Sequence, residues 1–263
     1  MNPRTERRGG PRRWKVVGDA LYTVLRFIAR HVRGFYGAIL TYLSVSFFVG
    51  LAAVAGLAAI ADRVLRGSTQ RMDEAVLTWM VDHRTAGLDR LALEVTALGN
   101  TLTLAILVLC VSIFLWLTHH RYSVYLLLIA LAGGGILNWL LKDIFNRPRP
   151  SIVEWGTEVA SLSFPSGHAM AAMITYGSVA YLVGRLEPTT RLRWTTWTLA
   201  GLVIVAIGLS RIYLGVHYPS DVIAGFVGGL AWTAFVASGI GAVRYFSSRK
   251  PDVVEEERDL HQA

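Results

Sequence analysis

Charged residues are scarce in this sequence, and cysteine is almost absent. Asp, Glu, Lys and Arg make up 17% of the 263 residues, whereas soluble domains usually carry about 25%. The missing charge is concentrated in several long uncharged blocks, which are typical of transmembrane helices and argue against a large soluble domain. The single cysteine, Cys110, lies inside one of these blocks. It therefore excludes an intrachain disulfide and a cysteine-rich metal site.

Six apolar spans bounded by charged residues predict an all-α fold, an integral membrane bundle of six transmembrane helices. Most of the spans approach the ~20 residues that cross the hydrocarbon layer of a bilayer. The fourth and fifth are the shortest. The spans run over residues 35–61, 95–118, 122–141, 168–184, 194–209 and 222–243.

The segments outside the spans divide the chain further. Residues 1–13 are rich in Arg, Gly and Pro and are predicted to be disordered. Residues 14–33 place apolar residues at helical spacing with arginines between them, which indicates a helix in the membrane interface; a solvated or core-packed helix fits equally well. We therefore expect a basic N-terminal segment over 1–33, a membrane domain over 34–245 and a disordered tail over 246–263.

The distribution of Lys and Arg predicts the orientation of the chain. With six spans both termini share one side, and 17 of the 26 Lys and Arg residues lie on that side. The basic side of a membrane protein is normally cytoplasmic, so loops 62–94, 142–167 and 210–221 are expected to face outward from the cell (inner) membrane. Loop 62–94 is further predicted to form one or two short amphipathic helices on the outer surface. The net charge of +8 is explained by this asymmetry, so no nucleic-acid partner is expected, and the sequence identifies no protein partner.

Two of the outward loops carry cations beside apolar spans. Lys142, Arg149 and Arg211 lie at helix ends, where a permanent charge is costly without an anionic partner. Arginine forks match phosphate oxygens, and lysine adds a point charge. Ser166 and Gly167 lie where the fourth span begins, and the unsatisfied N–H groups of a helix start attract anions. Together these five residues predict a cradle for one tetrahedral phosphate.

The same loops hold two histidines. His217 is followed four residues later by Asp221, which can accept the Nδ1–H of the imidazole and leave Nε2 as the nucleophile. A neutral, oriented imidazole can attack phosphorus, and His168 can protonate the departing oxygen as a general acid. These two loops hold too few clustered carboxylates for a magnesium site, and no cofactor is expected.

These residues form a signature of three motifs, K-x6-R-P, P-S-G-H and S-R-x5-H-x3-D. The chain resembles the type 2 phosphatidic acid phosphatase family, which carries the same three motifs in the same order. The resemblance implies a six-helix membrane bundle with the site at the outer edge of the membrane and a metal-independent lipid phosphatase activity. The motifs are Lys142 to Arg149 and Pro150, Pro165 to His168, and Ser210 and Arg211 to His217 and Asp221.

The resemblance also implies a role for each residue. His217 would form a phosphohistidine, Asp221 would orient it, and His168 would protonate the leaving group and later help to activate water. The phosphate would be held by Lys142, Arg149, Ser166, Gly167 and Arg211.

The signature leaves the substrate and part of the chemistry open. The lipid candidates are undecaprenyl diphosphate, phosphatidylglycerophosphate, phosphatidic acid and lipid A phosphate, and the compact build and Arg-rich tail favour the first two. Phosphotransfer from a lipid diphosphate to another acceptor would share the phosphohistidine. A lipid-phosphate transporter would keep the cations but would have no need of two histidines.

Arg147 lies outside the signature and has two interpretations. It is either a surface charge that contacts lipid headgroups or a contact to the second phosphate of a diphosphate substrate. Pro148 and Pro150 favour extended backbone, so that the Arg147 and Arg149 side chains are expected to point to the same side.

Overall fold

A computed structural model describes residues 35–157 and 161–247, which are helical and contain no strand. The prediction of an all-α fold is therefore confirmed. The chain divides into two compact units, Met1–Ser44 and Val45–Ala263, and every contact discussed below lies within the second. The helices are α1 (Phe35–Leu65), α2 (Gln70–Asp82), α3 (Ala86–Ala97), α4 (Thr101–Leu117), α5 (Arg121–Phe145), α6 (Gly167–Leu186), α7 (Thr190–Tyr213) and α8 (Pro219–Ser247).

Within residues 35–157 and 161–247, five helices are long and apolar enough to cross a membrane, namely α1 (from Ser44 onward), α5, α6, α7 and α8. Helices α3 and α4 pass the same test together but are bent by 47° at the break between them. The bundle therefore has six spans when the bent pair counts as one, which agrees with the predicted number. The second span was predicted as one straight helix over 95–118, but the structure has two helices there, α3 and α4, which begin at Ala86 and are bent relative to each other.

The bend between α3 and α4 has a local cause and a tertiary one. Asn100 caps the start of α4, because its side chain accepts a hydrogen bond from Leu102 N at 3.3 Å. Gly99 packs so closely on α7 that a Cβ there would lie 2.6 Å from Ile207 Cγ2. The same Cβ would lie 3.3 Å from the Cδ2 of His168. The bend thus brings backbone against α7 and the start of α6.

Helix α6 is the most enclosed helix of the bundle. Half of its apolar window is buried, against 11% of that of α1. Its inner face packs Met170 and Ile174 against Leu126 and Ala130 of α5 and Val236 of α8. Large apolar side chains on the outside of the bundle, such as Leu102, Trp139 and Phe235, stay exposed, which suits contact with lipid chains. Because α6 is held on several sides, its first turn is a rigid support for a site.

Loop 62–94 contains helix α2 and the first part of α3, where one or two short amphipathic surface helices were predicted. Helix α2 is amphipathic, since it buries Asp73 and Leu77 and packs Leu77 with Tyr218 and Val222. Helix α3 is not a separate surface helix, because it is one arm of the bent pair. The predicted interfacial helix at 14–33 lies outside the described residues, and so does the predicted tail beyond residue 247.

Candidate active site

The three sequence motifs meet at one end of the bundle around a single cavity of about 690 Å³. Lys142 lies near the end of α5, Arg211 near the end of α7 and His217 in the turn before α8. Asp221 lies behind the cavity in the first turn of α8, and Ser166 is buried at the start of α6. Six of the predicted site residues line the cavity: Lys142, Arg149, Gly167, His168, Arg211 and His217.

The geometry around His217 fixes its protonation state. Its ring is 2% exposed, and Arg149 Nη1 lies 3.1 Å from Nε2. A guanidinium can only donate, so Nε2 accepts this bond and the ring proton belongs on Nδ1. Burial lowers the pKa of His217 to about 4, and the charges of Arg149 and Arg211 lower it too, whereas Asp221 acts in the opposite direction. At neutral pH the imidazole is therefore uncharged and has its lone pair on Nε2.

Asp221 approaches His217 but does not bond to it directly. The distance from Asp221 Oδ2 to His217 Nδ1 is 3.6 Å, which is longer than a hydrogen bond. The direct bond expected from the four-residue spacing is therefore absent. The hydroxyl of Ser163 lies between the two side chains: it donates to Asp221 Oδ2 at 2.5 Å and is 3.4 Å from Nδ1. Sequence reasoning missed Ser163, because it precedes the P-S-G-H motif and nothing in its local pattern marks it.

Two predicted cradle residues, Ser166 at the start of α6 and Arg211 near the end of α7, have buried polar atoms without a hydrogen-bond partner among the described residues. Arg211 is 2% exposed, and its Nη1 donates to Thr96 Oγ1 at 2.8 Å. Arg211 Nε and Ser166 Oγ are buried and have no hydrogen-bond partner within the described residues. Gly167 opens α6, and a Cβ there would lie 3.1 Å from Asn138 Oδ1. Thr96 is a second residue that sequence reasoning missed, since it comes from α3 just before the bend.

The other two cations are held by main-chain carbonyls. Lys142 donates to Leu162 O, and Arg149 donates to Ser161 O at 2.5 Å. Burial lowers the pKa of Arg149 to about 10, against the raising effect of Asp221, so the group stays charged at neutral pH. Within residues 35–157 and 161–247, Lys142, Arg149 and Arg211 form no ion pair with a carboxylate. Their shared positive charge therefore favours an anion in the cavity.

Arg147 lies between two buried carboxylates, Asp73 and Asp221. Its side chain is only 10% exposed, so it is not a surface charge. Its Nη1 lies 2.6 Å from Asp221 Oδ1 and its Nη2 lies 3.0 Å from Asp73 Oδ2. The contact to a second phosphate stays a prediction, and both ends of the guanidinium are bound to carboxylates in this structure. Arg147 is also absent from the lining of the cavity that holds His217.

The cavity becomes apolar as it leaves the cations. Its further walls come from α4, α5 and α6 and include Leu104, Leu131, Ile136, Trp139 and Ile174. A ligand that combines an anionic head with an apolar chain would match both parts of this surface.

The chain is similar to several known proteins. The model of the PAP2 superfamily matches residues 122–245. Phosphatidylglycerophosphatase B of Bacillus subtilis (strain 168) is 32% identical over 172 residues, which cover 65% of this chain and 84% of that protein. The putative undecaprenyl-diphosphatase YbjG of Escherichia coli (strain K12) is 32% identical over 127 residues, or 46% of this chain and 60% of that protein.

A solved structure shows the same architecture. The crystal structure of a transmembrane PAP2 type phosphatidylglycerolphosphate phosphatase from Bacillus subtilis superposes with a TM-score of 0.68 at 26% identity, covering 78% of this chain and 99% of that one. The resemblance drawn from the three motifs is therefore confirmed, and the chain belongs to the PAP2 superfamily.

Proposed function

We propose that this protein is a lipid phosphatase that removes a phosphoryl group from a membrane lipid phosphate or diphosphate through a phosphohistidine, at the extracytoplasmic face of the membrane. One observation carries the proposal: His217 and three cations that have no carboxylate partner among the described residues line a single cavity. The apolar walls of that cavity fit a lipid chain. The membrane spans of the bundle and the lipid phosphatases among the relatives support the same conclusion.

The chemistry follows from the positions of the groups. The Nε2 lone pair of His217 attacks phosphorus, so that an N–P bond forms while the bond from phosphorus to the leaving oxygen breaks. His168 gives its proton to that oxygen. Negative charge on the transferring phosphoryl oxygens is stabilised by Lys142, Arg149 and Arg211. Water then attacks the phosphorus of the phosphohistidine: an O–P bond forms while the N–P bond breaks and returns its electron pair to Nε2 of His217. His168 takes the proton from the attacking water, and inorganic phosphate leaves.

We propose undecaprenyl diphosphate or phosphatidylglycerophosphate as the substrate, because relatives are named for hydrolysis of each. Purified protein in detergent should release phosphate from at least one of these lipids faster than from phosphatidic acid or lipid A phosphate. The release should persist in EDTA, since the cations of the cradle neutralise the phosphate without a metal. Phosphate release is measured by a colorimetric assay and lipid products by mass spectrometry. Activity that disappears in EDTA and returns with magnesium would contradict the metal-free mechanism, and a phosphorylated lipid acceptor would identify a transferase.

The proposed orientation predicts which loops a membrane-impermeant thiol reagent reaches in intact cells. In a Cys110→Ala background, Glu154→Cys should be labelled, because Glu154 lies in the exposed loop beside the site. Pro188→Cys, in the exposed turn between α6 and α7, should be labelled only after the cells are opened. Opened cells also control for the reactivity of both positions. The reverse pattern would place the site in the cytoplasm and remove extracytoplasmic lipids as substrates.

A further inference from the structure

A buried carboxylate outside the three motifs lies next to the catalytic turn. Asp73 of α2 is 0% exposed. Its Oδ1 accepts from Ser220 N at 3.0 Å, and its Oδ2 accepts from Ser220 Oγ at 2.5 Å. Ser220 immediately precedes Asp221 in the chain. Because a buried charge is costly unless it is paired and hydrogen-bonded, such a complete set of partners indicates a specific arrangement rather than an incidental one.

Arg147 links this carboxylate to the catalytic one. One end of its guanidinium bonds Asp73 at 3.0 Å and the other bonds Asp221 at 2.6 Å. The plane of the group lies over the ring of Tyr218, with 4.2 Å from Cζ to the ring centroid. Its Nη1 also donates to Ser220 Oγ at 2.8 Å. The guanidinium is thus held on several sides and has little freedom to move.

The consequence for Asp221 is that its two oxygens have separate tasks. Oδ1 is bound by Arg147, while Oδ2 accepts from Ser163 Oγ and from Tyr218 N at 3.0 Å. Oδ2 is also the oxygen that approaches His217. Because Arg147 holds Oδ1, Oδ2 is the Asp221 oxygen that is turned toward the imidazole of His217.

We propose that Arg147 and Asp73 are positioning residues for the reaction: Arg147 fixes the orientation and the charge of Asp221, and Asp73 acts by holding Arg147. The inference rests on the proposed function, since it assigns the pair a role in the action of His217. Neither residue lines the cavity of about 690 Å³. Arg147 instead borders a separate cavity of about 310 Å³ behind Asp221, together with Gln70 and Tyr218. The pair therefore affects turnover and not the binding of substrate.

The test compares Arg147→Met, Asp73→Asn and the double variant on a lipid monophosphate and a lipid diphosphate. Arg147→Met should lower kcat about tenfold or more, equally on both substrates, and leave KM within about twofold. Asp73→Asn should lower kcat less. The double variant should be no slower than Arg147→Met alone, because Asp73 acts through the arginine that this variant lacks. Multiplied losses, or a KM increase confined to the diphosphate, would overturn the proposal.

The pH profile separates positioning from a merely structural role. His217 faces Asp221 in α8, Arg149 in the loop after α5 and Arg211 in α7, with Lys142 of α5 and His168 of α6 around the same cavity. Arg147 offsets the charge of Asp221, so its removal strengthens the attraction of Asp221 for a protonated imidazole. The pKa of His217 then rises, and activity should be lost on acidification at a pH about one unit higher than in the unaltered protein. An unchanged acid limb would show that Arg147 only supports the fold.

Arg84→Met is the matched control. Arg84 donates to Tyr213 O at 2.7 Å and to Glu154 O at 2.9 Å and stacks on the Tyr213 ring, but it does not touch Asp221. The Arg84→Met variant should have a lower Tm but lose activity on acidification at the same pH as the unaltered protein.

If Arg147→Met does not fold, Arg147→Lys is tested instead. A lysine ammonium is a point charge and cannot bridge two carboxylates as a guanidinium does, so kcat should fall at constant KM. Full activity of Arg147→Lys would overturn the proposal. A wild-type protein that is inactive on every lipid contradicts the proposed function itself, whereas an active wild type with an unaffected Arg147→Met contradicts only this inference.

Discussion

Replacing His217 with alanine should reduce phosphate release by at least about 10⁴-fold, to a rate near the background of the assay. The reason is that His217 lines the cavity and that its Nε2, which is 3.1 Å from the donor Arg149 Nη1, carries no proton and keeps a lone pair. Within the described part of the cavity lining, His168 is the other imidazole, and it is needed as the acid. Steady-state phosphate release in detergent measures the effect.

Loss of the fold must be separated from loss of the nucleophile. His217→Ala leaves the apolar clusters between α4, α5 and α6 untouched, so the Tm should fall by only a few degrees. The wild type, quenched in alkali during turnover of a labelled lipid, should carry a base-stable phosphoryl label that the variant lacks. Substantial hydrolysis by a folded His217→Ala protein would end the assignment of His217 as the nucleophile.

Asp221→Asn should lower kcat by about 10³- to 10⁴-fold, by analogy with the loss of the orienting carboxylate in a catalytic triad. Both carboxylate oxygens of Asp221 accept from donors: Arg147 on one side, Ser163 and Tyr218 N on the other. An amide NH2 on either side would face a donor with another donor, so the side chain cannot keep its place. The guanidinium of Arg147 would also lose one of its two anionic partners.

Ser163→Ala is the comparison for this variant. It removes the hydroxyl between Asp221 and His217 but keeps the carboxylate, so its loss of kcat should be smaller than that of Asp221→Asn. Stopped phosphate-release assays on both proteins at equal folded concentration measure the ratio. An Asp221→Asn protein within tenfold of the wild type would show that the carboxylate does not orient the nucleophile.

The fold class and the signature residues could be predicted from local sequence patterns. Long uncharged runs indicate membrane spans because lipid excludes charge. Lys142, His168 and Arg211 lie at the ends of predicted spans, and the order of those spans predicts that all three are on the same side of the membrane. The bend between α3 and α4 escaped this reasoning, since the apolar run continues through it with only Gly99 and Asn100 as signals. The close approach to Ile207 that requires Gly99 is a tertiary contact.

The partners of the site residues were not predictable for the same reason. Thr96 meets Arg211 across 115 residues of sequence, and Ser163 meets Asp221 across 58. For Arg147 the extended backbone suggested a side chain parallel to that of Arg149. Its actual direction is set by Asp73, a carboxylate from α2 that no pattern near residue 147 reveals.

The bond between Asp73 and Ser220 spans 147 positions of the chain, and this separation becomes a delay during synthesis. A ribosome that adds about 5–20 residues per second needs roughly 7 to 30 s to travel from one residue to the other. During that interval α2 and its carboxylate have been made, but Ser220, which donates two hydrogen bonds to Asp73, has not. Arg211, His217 and Asp221 lie close to Ser220 in the sequence and are made at the end of the same interval. The residues of the proposed site can therefore come together only after synthesis has reached the first turn of α8.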